Sequence, residues 1–321
     1  MTQATGSAAR LTIQAEQTWG VLPATPKATE INAATYGDSL VASTAELVSN
    51  AINPNRGILD SRPGQLTISG SVPFELPIQN AELIFYGLMG GYTQTDTTVG
   101  SVAKKKKVFK RAKTLPSFTI EKGFTDINQY FQYLGCKIGN VQLTITPDAL
   151  ITGSFDVQGK DISHTTSSYD STPTTYTHRA FSGIDGIILE GGLGARFTNL
   201  NFNITNGIYD ARIIGSDKSA NLGAGKSEVT GELTIMFEDV VMYNKWLNET
   251  QTDIKLTFNL GNDSVEFNFP KVKLNGEGSA KIESQEGINI TFKWRALVDP
   301  TEQSDVVITV INDYDLDAVL V

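Results

Sequence analysis

The chain has 321 residues, of which 40% are hydrophobic and 19% are charged, so it can bury a core and is not disordered as a whole. Its formal net charge of −9 argues against a protein that grips nucleic-acid phosphates, because such a protein should be basic. The single cysteine, Cys136, excludes an internal disulfide framework, and the sequence predicts neither a membrane span nor a secretory signal.

Residues 1–162 are predicted to form one β unit with a short helix. Strands are predicted where apolar and polar residues alternate, at 10–15, 66–76, 118–121, 130–134, 141–146 and 151–157. Helical spacing of apolar residues predicts a helix near 79–88. Two polar, weakly patterned stretches, 17–57 and 90–115, are predicted to be long loops. Loops of that length inside a compact domain are usually functional or disordered.

A linker and a second unit of the same kind are predicted to follow. The Ser/Thr-rich segment 163–177 predicts the linker, and residues 178–300 are assigned to the second unit. Strands are predicted at 199–204, 229–237, 254–260, 279–285 and 288–294. Asp239 is a predicted N-cap for a helix that runs to Leu247.

Residues 301–321 are predicted to form a C-terminal strand or arm. An apolar strand is predicted at 306–311, and Asp313, Asp315 and Asp317 make the end acidic. A strand at a terminus has to pair with something. We therefore expect it to join either its own sheet or the sheet edge of a neighbouring molecule.

The two units carry the same pattern of strand, helix and strand. Two ungapped alignments support this, 68–76 on 229–237 and 118–123 on 256–261. Leu200 and Phe202 are matched to Leu11 and Ile13 of the first strand. We interpret the chain as a tandem duplication of one small β unit, and the surplus length of the first unit falls in its two predicted loops.

The sharpest charge feature is a basic run in the second predicted loop. Its candidate subunit-contact residues are Lys104, Lys105, Lys106, Lys107, Lys110 and Arg111. One interpretation is a patch that meets DNA or the acidic surface of a neighbouring subunit, and the other is a solvated loop. Because the run lies in an insertion, a subunit contact is the hypothesis that we carry forward.

Residue patterns for catalysis are sparse. His164 and His178 are the only histidines, and both flank the predicted linker, where solvated side chains are expected. No serine lies in a G-x-S-x-G elbow. The segment 223–227 is similar to the end of a phosphate-binding loop, but β-type sequence follows it instead of a helix. The sequence therefore predicts no enzyme, no cofactor and no metal site.

Several segments resemble the major tail tube proteins of long-tailed (siphovirus-like) bacteriophages. These are RLTIQAEQTWGVLPATP, RGILDSRPGQLTISGSVPFEL, FTIEKGF with YFQYLGCKIGNVQLTI, and VTGELTIMFED. The resemblance implies a mainly β fold, with two tandem β-sandwich or partial-barrel units that each carry one flanking α-helix. It also implies a structural virion protein that polymerises into stacked rings around a conduit for DNA.

The resemblance and the inferred duplication together lead to further expectations. The resemblance implies rings of six single units, so two units per chain would build an equivalent ring of pseudo-sixfold symmetry from three chains. DNA would pass through the lumen without specific binding, and the tape measure and tail terminator proteins would be partners. The protein would assemble in the host cytoplasm and reside in the virion tail, without a membrane. The alternative function is a virion decoration or carbohydrate-binding β-sandwich module.

Overall fold

The fold is mainly β and sandwich-like, as expected. A computed structural model of the chain describes residues 3–31, 37–176, 179–278, 280 and 287–320. β-Branched and aromatic residues that alternate with polar ones build most of this length, and such residues suit a pleated surface with one buried face. No helix among the described residues is long and apolar enough to cross a membrane.

The described strands and helices are numbered here in chain order. The strands of the first half are β1 (Ala9–Ala15), β2 (Thr29–Glu30), β3 (Val41–Val48), β4 (Ser61–Glu75), β5 (Gly90–Val99), β6 (Val102–Arg111), β7 (Phe118–Phe124), β8 (Gln129–Ile145), β9 (Thr152–Gly159) and β10 (Asp161–Thr165). Those of the second half are β11 (Gly186–Glu190), β12 (Leu193–Gly194), β13 (Phe197–Thr205), β14 (Tyr209–Ala211), β15 (Asn221–Gly223), β16 (Glu228–Met236), β17 (Thr252–Leu260), β18 (Asp263–Asn275), β19 (Asn289–Ala296) and β20 (Val307–Asn312). The α-helices are α1 (Ala81–Met89), α2 (Val241–Leu247) and α3 (Leu316–Leu320).

Six strands in each half pair in the same order. In the first half the order is β3, β4, β9, β8, β7, β1, and in the second half it is β13, β16, β19, β18, β17, β11. Every one of these pairs is antiparallel. Helix α1 follows β4, and α2 follows β16 in the equivalent place. The pairing order therefore supports a common ancestor for the two halves, while the boundary between them at 163–177 stays a prediction.

The topology corrects one match between the halves. Strand β11 pairs with β17 as β1 pairs with β7, so the counterpart of β1 is β11. Strand β13 instead pairs with β16 as β3 pairs with β4, with Phe202 opposite Gly231. The match of Leu200 to Leu11 was therefore wrong. Alternation alone cannot tell one strand from another, and β11 lacks a regular alternation that would have identified it.

The segment 90–115 is not the predicted loop. Strands β5 and β6 form a hairpin in which Gly90 lies opposite Arg111 and Val99 lies opposite Val102. Lys107 and Phe109 lie on one face of β6 and are fully buried, and Lys104 is buried on the opposite face. The alternation was hidden because charged side chains occupy positions where a strand pattern normally has apolar ones.

Two other predicted boundaries also change. The predicted loop 17–57 contains β2 and β3, and β3 continues into a long hairpin with β4. Part of the predicted linker 163–177 belongs to β10, where Ser163 lies opposite Gln132 of β8. Of the predicted strand 279–285, only residue 280 lies within the described residues. His178 lies outside them.

The two halves share one hydrophobic core. Phe85 of α1 packs edge-on against Phe267 of β18, with ring centroids 5.6 Å apart, so a helix of the first half covers a strand of the second. Trp294 of β19 is buried against Phe269 at 4.9 Å. By contrast Trp246 of α2, which matches Phe85 in sequence, is only partly buried.

The C-terminal strand joins its own sheet. Strand β20 lies between β18 and β6 and is antiparallel to both. Of the two alternatives for this strand, the described chain therefore shows the intramolecular one. Leu316 of α3 is fully buried, which fixes the chain beyond β20 as well.

Candidate assembly interface

Strand β8 joins the two halves into one continuous sheet. Its first part pairs with β7, and its last part pairs with β13, from Asn140 opposite Thr205 to Ile145 opposite Leu200. On its other side β8 pairs with β9. Eight strands therefore follow one another in the order β3, β4, β9, β8, β13, β16, β19, β18.

Both ends of this eight-strand series are open among the described residues. Strand β3 has β4 as its only strand neighbour there, and its Val41 and Leu47 are 54% and 59% exposed. At the other end, the part of β18 from Lys273 to Asn275 pairs with β19 on one side alone. Unpaired edges of this kind expose backbone donors and acceptors that can pair with another chain.

The hairpin of β3 and β4 ends in an exposed apolar tip. Ile52 is 98% exposed, Ile58 is 71% exposed and Leu59 is 56% exposed. A second apolar patch lies around α2, where Phe237, Val240, Val241 and Leu247 are all 40% exposed or more. Contiguous exposed apolar surface of this kind usually marks a site of interaction.

The basic run lies on β6, and its first lysines bind aspartates of the same chain. Lys104 Nζ donates to Asp263 Oδ1 at 2.7 Å and to Asp313 Oδ2 at 2.9 Å. Burial alone would lower the pKa of Lys104, but these two carboxylates outweigh it and raise the pKa above the ordinary value. Lys105 pairs with Asp96 at 2.7 Å and with Asp315 at 3.5 Å.

The next members of the run also have intramolecular partners, with one exception. Lys107 is fully buried and pairs with Glu82 at 3.0 Å. Lys110 pairs with Glu302 at 2.7 Å, and Arg111 donates from Nε to Asp305 Oδ1 at 2.9 Å. Lys106 is exposed and makes no ion pair with a described residue. These pairs pin the C-terminal segment to the β5–β6 hairpin.

Sequence reasoning missed these partners. The signal that could have found them is charge complementarity. A lysine can be buried only when a carboxylate pairs with it, and Asp313 and Asp315 offer such carboxylates directly after an apolar strand. Whether any member of the run also meets a neighbouring subunit stays a prediction, and Lys106 is the member best placed for it.

The residues considered for chemistry lie apart from one another. His164 is exposed on β10, with its ring 5.1 Å from that of Phe131. Cys136 is buried, and burial raises the pKa of its thiol well above the ordinary value, which disfavours the reactive thiolate. Among the described residues, no group of three or more His, Cys, Asp or Glu side chains is placed to hold a metal ion.

Comparison with known families adds a finding to this geometry. A family model described as phage tail tube protein matches residues 6–296. The chain belongs to the phage tail tube protein family. The resemblance noted in the sequence is thereby confirmed, and this tail tube protein has a structural role in the virion tail. No curated protein matched the chain.

The family match runs through both halves of this tail tube protein and ends with β19. It therefore spans all eight strands of the continuous sheet. Strand β20 and the acidic segment that covers the lysines lie beyond the matched residues. The sheet is thus part of what the chain shares with the family.

Proposed function

We propose that three chains of this tail tube protein close into a ring and that the rings stack into a conduit for DNA. One observation carries the proposal: within the chain, β8 of the first half pairs with β13 of the second. If equivalent units repeat one contact around a ring, the same contact must recur between β18 of one chain and β3 of the next. These are the two open ends of the eight-strand series.

Such a contact is head-to-tail, and it forms a closed ring only when the rotation per chain divides the circle. Pairing the open edges also satisfies their backbone N–H and C=O groups, which stabilises the assembled state. The expected ring has six units. Because each chain supplies two similar units, three chains complete the ring and six would exceed it. The ring then has pseudo-sixfold symmetry.

The number of strands sets the width of the ring. Eight strands from each of three chains give twenty-four. At a strand spacing of about 4.8 Å, they span a backbone diameter of about 37 Å before strand tilt widens it. Inward side chains take up about 5 Å on each side, which leaves a bore wide enough for a double helix.

Stacking of rings is assigned to the β3–β4 hairpin. Its apolar tip, with Ile52 and Ile58, extends beyond the paired strands. The exposed apolar patch around α2 of a copy in the next ring is the surface that this tip would contact. The other segment predicted as a loop, 90–115, is not assigned to stacking, because its strand β6 pairs with β20 within the chain. Contacts of Lys106 with a neighbour, and of the tube with tape measure and terminator proteins, belong to the same proposal.

Electron microscopy of concentrated purified protein tests the proposal directly. We expect rings or hollow rods, and image averaging should return three chains per ring. Six chains per ring would contradict the stoichiometry. Particles that stay monodisperse at every concentration and on an initiating tail complex would instead favour a decoration module.

A further inference from the structure

We infer that residues 206–226 of the second half brace the β3–β4 hairpin of the first half and fix its direction, so that the hairpin can reach a copy in the next ring. These residues are called the flap from here on. The inference rests on the proposed stacking of rings, and it adds the part of the chain that holds the stacking hairpin in place.

The outer part of the β3–β4 hairpin has little support from the rest of the first half. Among the described residues, β9 lies beside β4 from Ile68 to Glu75, and before Ile68 β4 pairs with β3 alone. Residues 43–48 of β3 are all exposed. The pairing also shifts register between Thr44 and Glu46, and such a bulge bends a strand. Because a two-stranded hairpin by itself is marginally stable in water, an unsupported hairpin would bend at this bulge.

The flap is the second half's version of the same connection. It joins β13 to β16, which pair with each other as β3 pairs with β4, and it contains the short β14–β15 pair. Instead of extending outward, it crosses the β8–β13 junction and lies on the first half. Asn206 fixes its start, because the buried side chain of Asn206 donates to the backbone oxygens of Leu88 and Ile138.

The flap is itself anchored away from the hairpin. Lys137 Nζ of β8 donates to the backbone oxygen of Leu222 at 2.6 Å, and the Leu222 side chain is 1% exposed. Lys218 pairs with Asp161 at 2.6 Å, at the start of β10. These contacts connect the flap to two further strands of the first half, so its position does not depend on the hairpin.

The outer end of the flap contacts the hairpin at its bulge. Leu66 of β4 donates its backbone N–H to the oxygen of Asp217 at 2.7 Å. Gln65 Nε2 donates to the backbone oxygen of Ser216 at 2.8 Å. The flap therefore takes the place beside β4 that β9 leaves open before Ile68.

Arg212 supplies the side-chain part of this contact. Its Nη1 donates to Gln65 Oε1 at 3.2 Å, and its Nη2 donates to Thr67 Oγ1 at 2.8 Å. Asp210 orients the guanidinium from the flap side, at 2.7 Å from Nε. Because the guanidinium donors form a rigid planar fork, contacts to two residues fix the angle of the strand as well as its position. The hairpin is thus held at its base by the other half of the duplicated chain.

Hydrogen exchange of the single chain tests the brace without assembly. The test variant is Gln65→Ala with Arg212→Ala. Its matched control is Lys255→Ala with Glu266→Ala, which removes an ion pair of 3.4 Å on another pair of strands. All four residues are at least partly exposed, so folding should change little. We expect amide exchange in residues 43–48 to be about tenfold faster in the test variant than in wild type or control.

Electron microscopy of the same variants tests the link to stacking. The test variant should still close into rings, because its open sheet edges are unchanged, but it should give single or short-stacked rings where the control gives long rods. Arg212→Lys keeps the charge and loses the fork, so it should give rods of intermediate length.

Unchanged exchange in the test variant would overturn the brace. Faster exchange together with rods of normal length would overturn its link to stacking. Absence of rods from the wild-type chain would instead contradict the proposed function, and the exchange result would still decide whether the flap braces the hairpin.

Discussion

Lys107 Nζ lies 3.0 Å from Glu82 Oε1, and both side chains are fully buried. Lys107 also donates to the side-chain oxygen of Asn312 and to the backbone oxygen of Tyr314 at 2.8 Å. Burial lowers the pKa of Lys107, while the charge of Glu82 opposes that effect. The pair connects β6, α1 and the end of β20, so a member of the lysine run is an anchor of the core.

Removing one partner of this pair should be costly. Lys107→Met leaves the Glu82 carboxylate buried without a counter-charge, and we expect a loss of about 3–5 kcal/mol in unfolding free energy. The double variant Lys107→Met with Glu82→Leu should recover most of that loss. Urea unfolding followed by circular dichroism measures both. Lys106→Met is the control, and a Lys107→Met cost no larger than the control's would contradict the anchor role.

The C-terminal acidic segment should give a pH-dependent contribution. A hydrogen bond from Gln94, helped by Lys105, lowers the pKa of Asp315 below its ordinary value of 3.8. A carboxyl with a lowered pKa in the folded state stabilises that state above its unfolded pKa and loses the effect as pH falls. Asp315→Asn should therefore lower the Tm at pH 6, and the difference should vanish as the pH falls below 3.8 towards strong acid. Asp148→Asn, an exposed carboxylate elsewhere, serves as the control.

The open edge of β3 should be needed for ring closure. Lysines on an edge strand hinder pairing with another chain, so Val41→Lys with Leu47→Lys should remain soluble but form no rings. Val102→Lys with Val298→Lys introduces the same charge at comparably exposed positions of 42% and 63%, away from that edge. Sedimentation velocity and electron microscopy compare the pairs. Rings of normal abundance from the β3 variant would show that closure uses a different edge.

The apolar tip of the β3–β4 hairpin should matter for stacking and not for the ring itself. Ile52→Ser with Ile58→Ser removes apolar surface that is exposed in the single chain, so folding should change little. We expect single or short-stacked rings in place of long rods. Ile187→Ser, at a residue that is 56% exposed on β11, should leave rod length unchanged. Normal rods from the tip variant would remove the hairpin from the stacking contact.

The sequence allowed the mainly β fold, the positions of α1 and α2, and the family to be predicted, because alternation and helical spacing are local signals. It placed α1 near 79–88, where the helix runs from Ala81 to Met89. Helix α3, with five residues, was not predicted. Strand β6 was missed, since Lys104 and Lys107 take buried positions on it. The partner Asp313 of Lys104 lies 209 residues further along the chain, and Lys107 pairs with Glu82 on the preceding helix. A pattern confined to one segment cannot show a partner so distant in sequence.

The same distance effect explains the error in the duplicated pattern. Residues that align in sequence, such as Gly70 and Gly231, do occupy equivalent strands, because both lie on strands that precede a helix. Which strands pair, however, depends on the whole sheet. The counterpart of the strand that contains Leu200 could therefore not be identified from the sequence pattern alone. Trimming 90–115, which the loop interpretation would tolerate, is now expected to unfold the chain because β20 would lose a neighbour.

The β8–β13 pairing has a consequence for whatever caps the tube. Since that junction lies within one polypeptide, half of the unit boundaries in a three-chain ring exist before any encounter between molecules. The first half carries the long β3–β4 hairpin and the second half does not, so halves with and without this hairpin must alternate around the circumference. An adaptor at the end where these hairpins are free would meet them at three evenly spaced positions, so a threefold partner fits this rim without a symmetry mismatch.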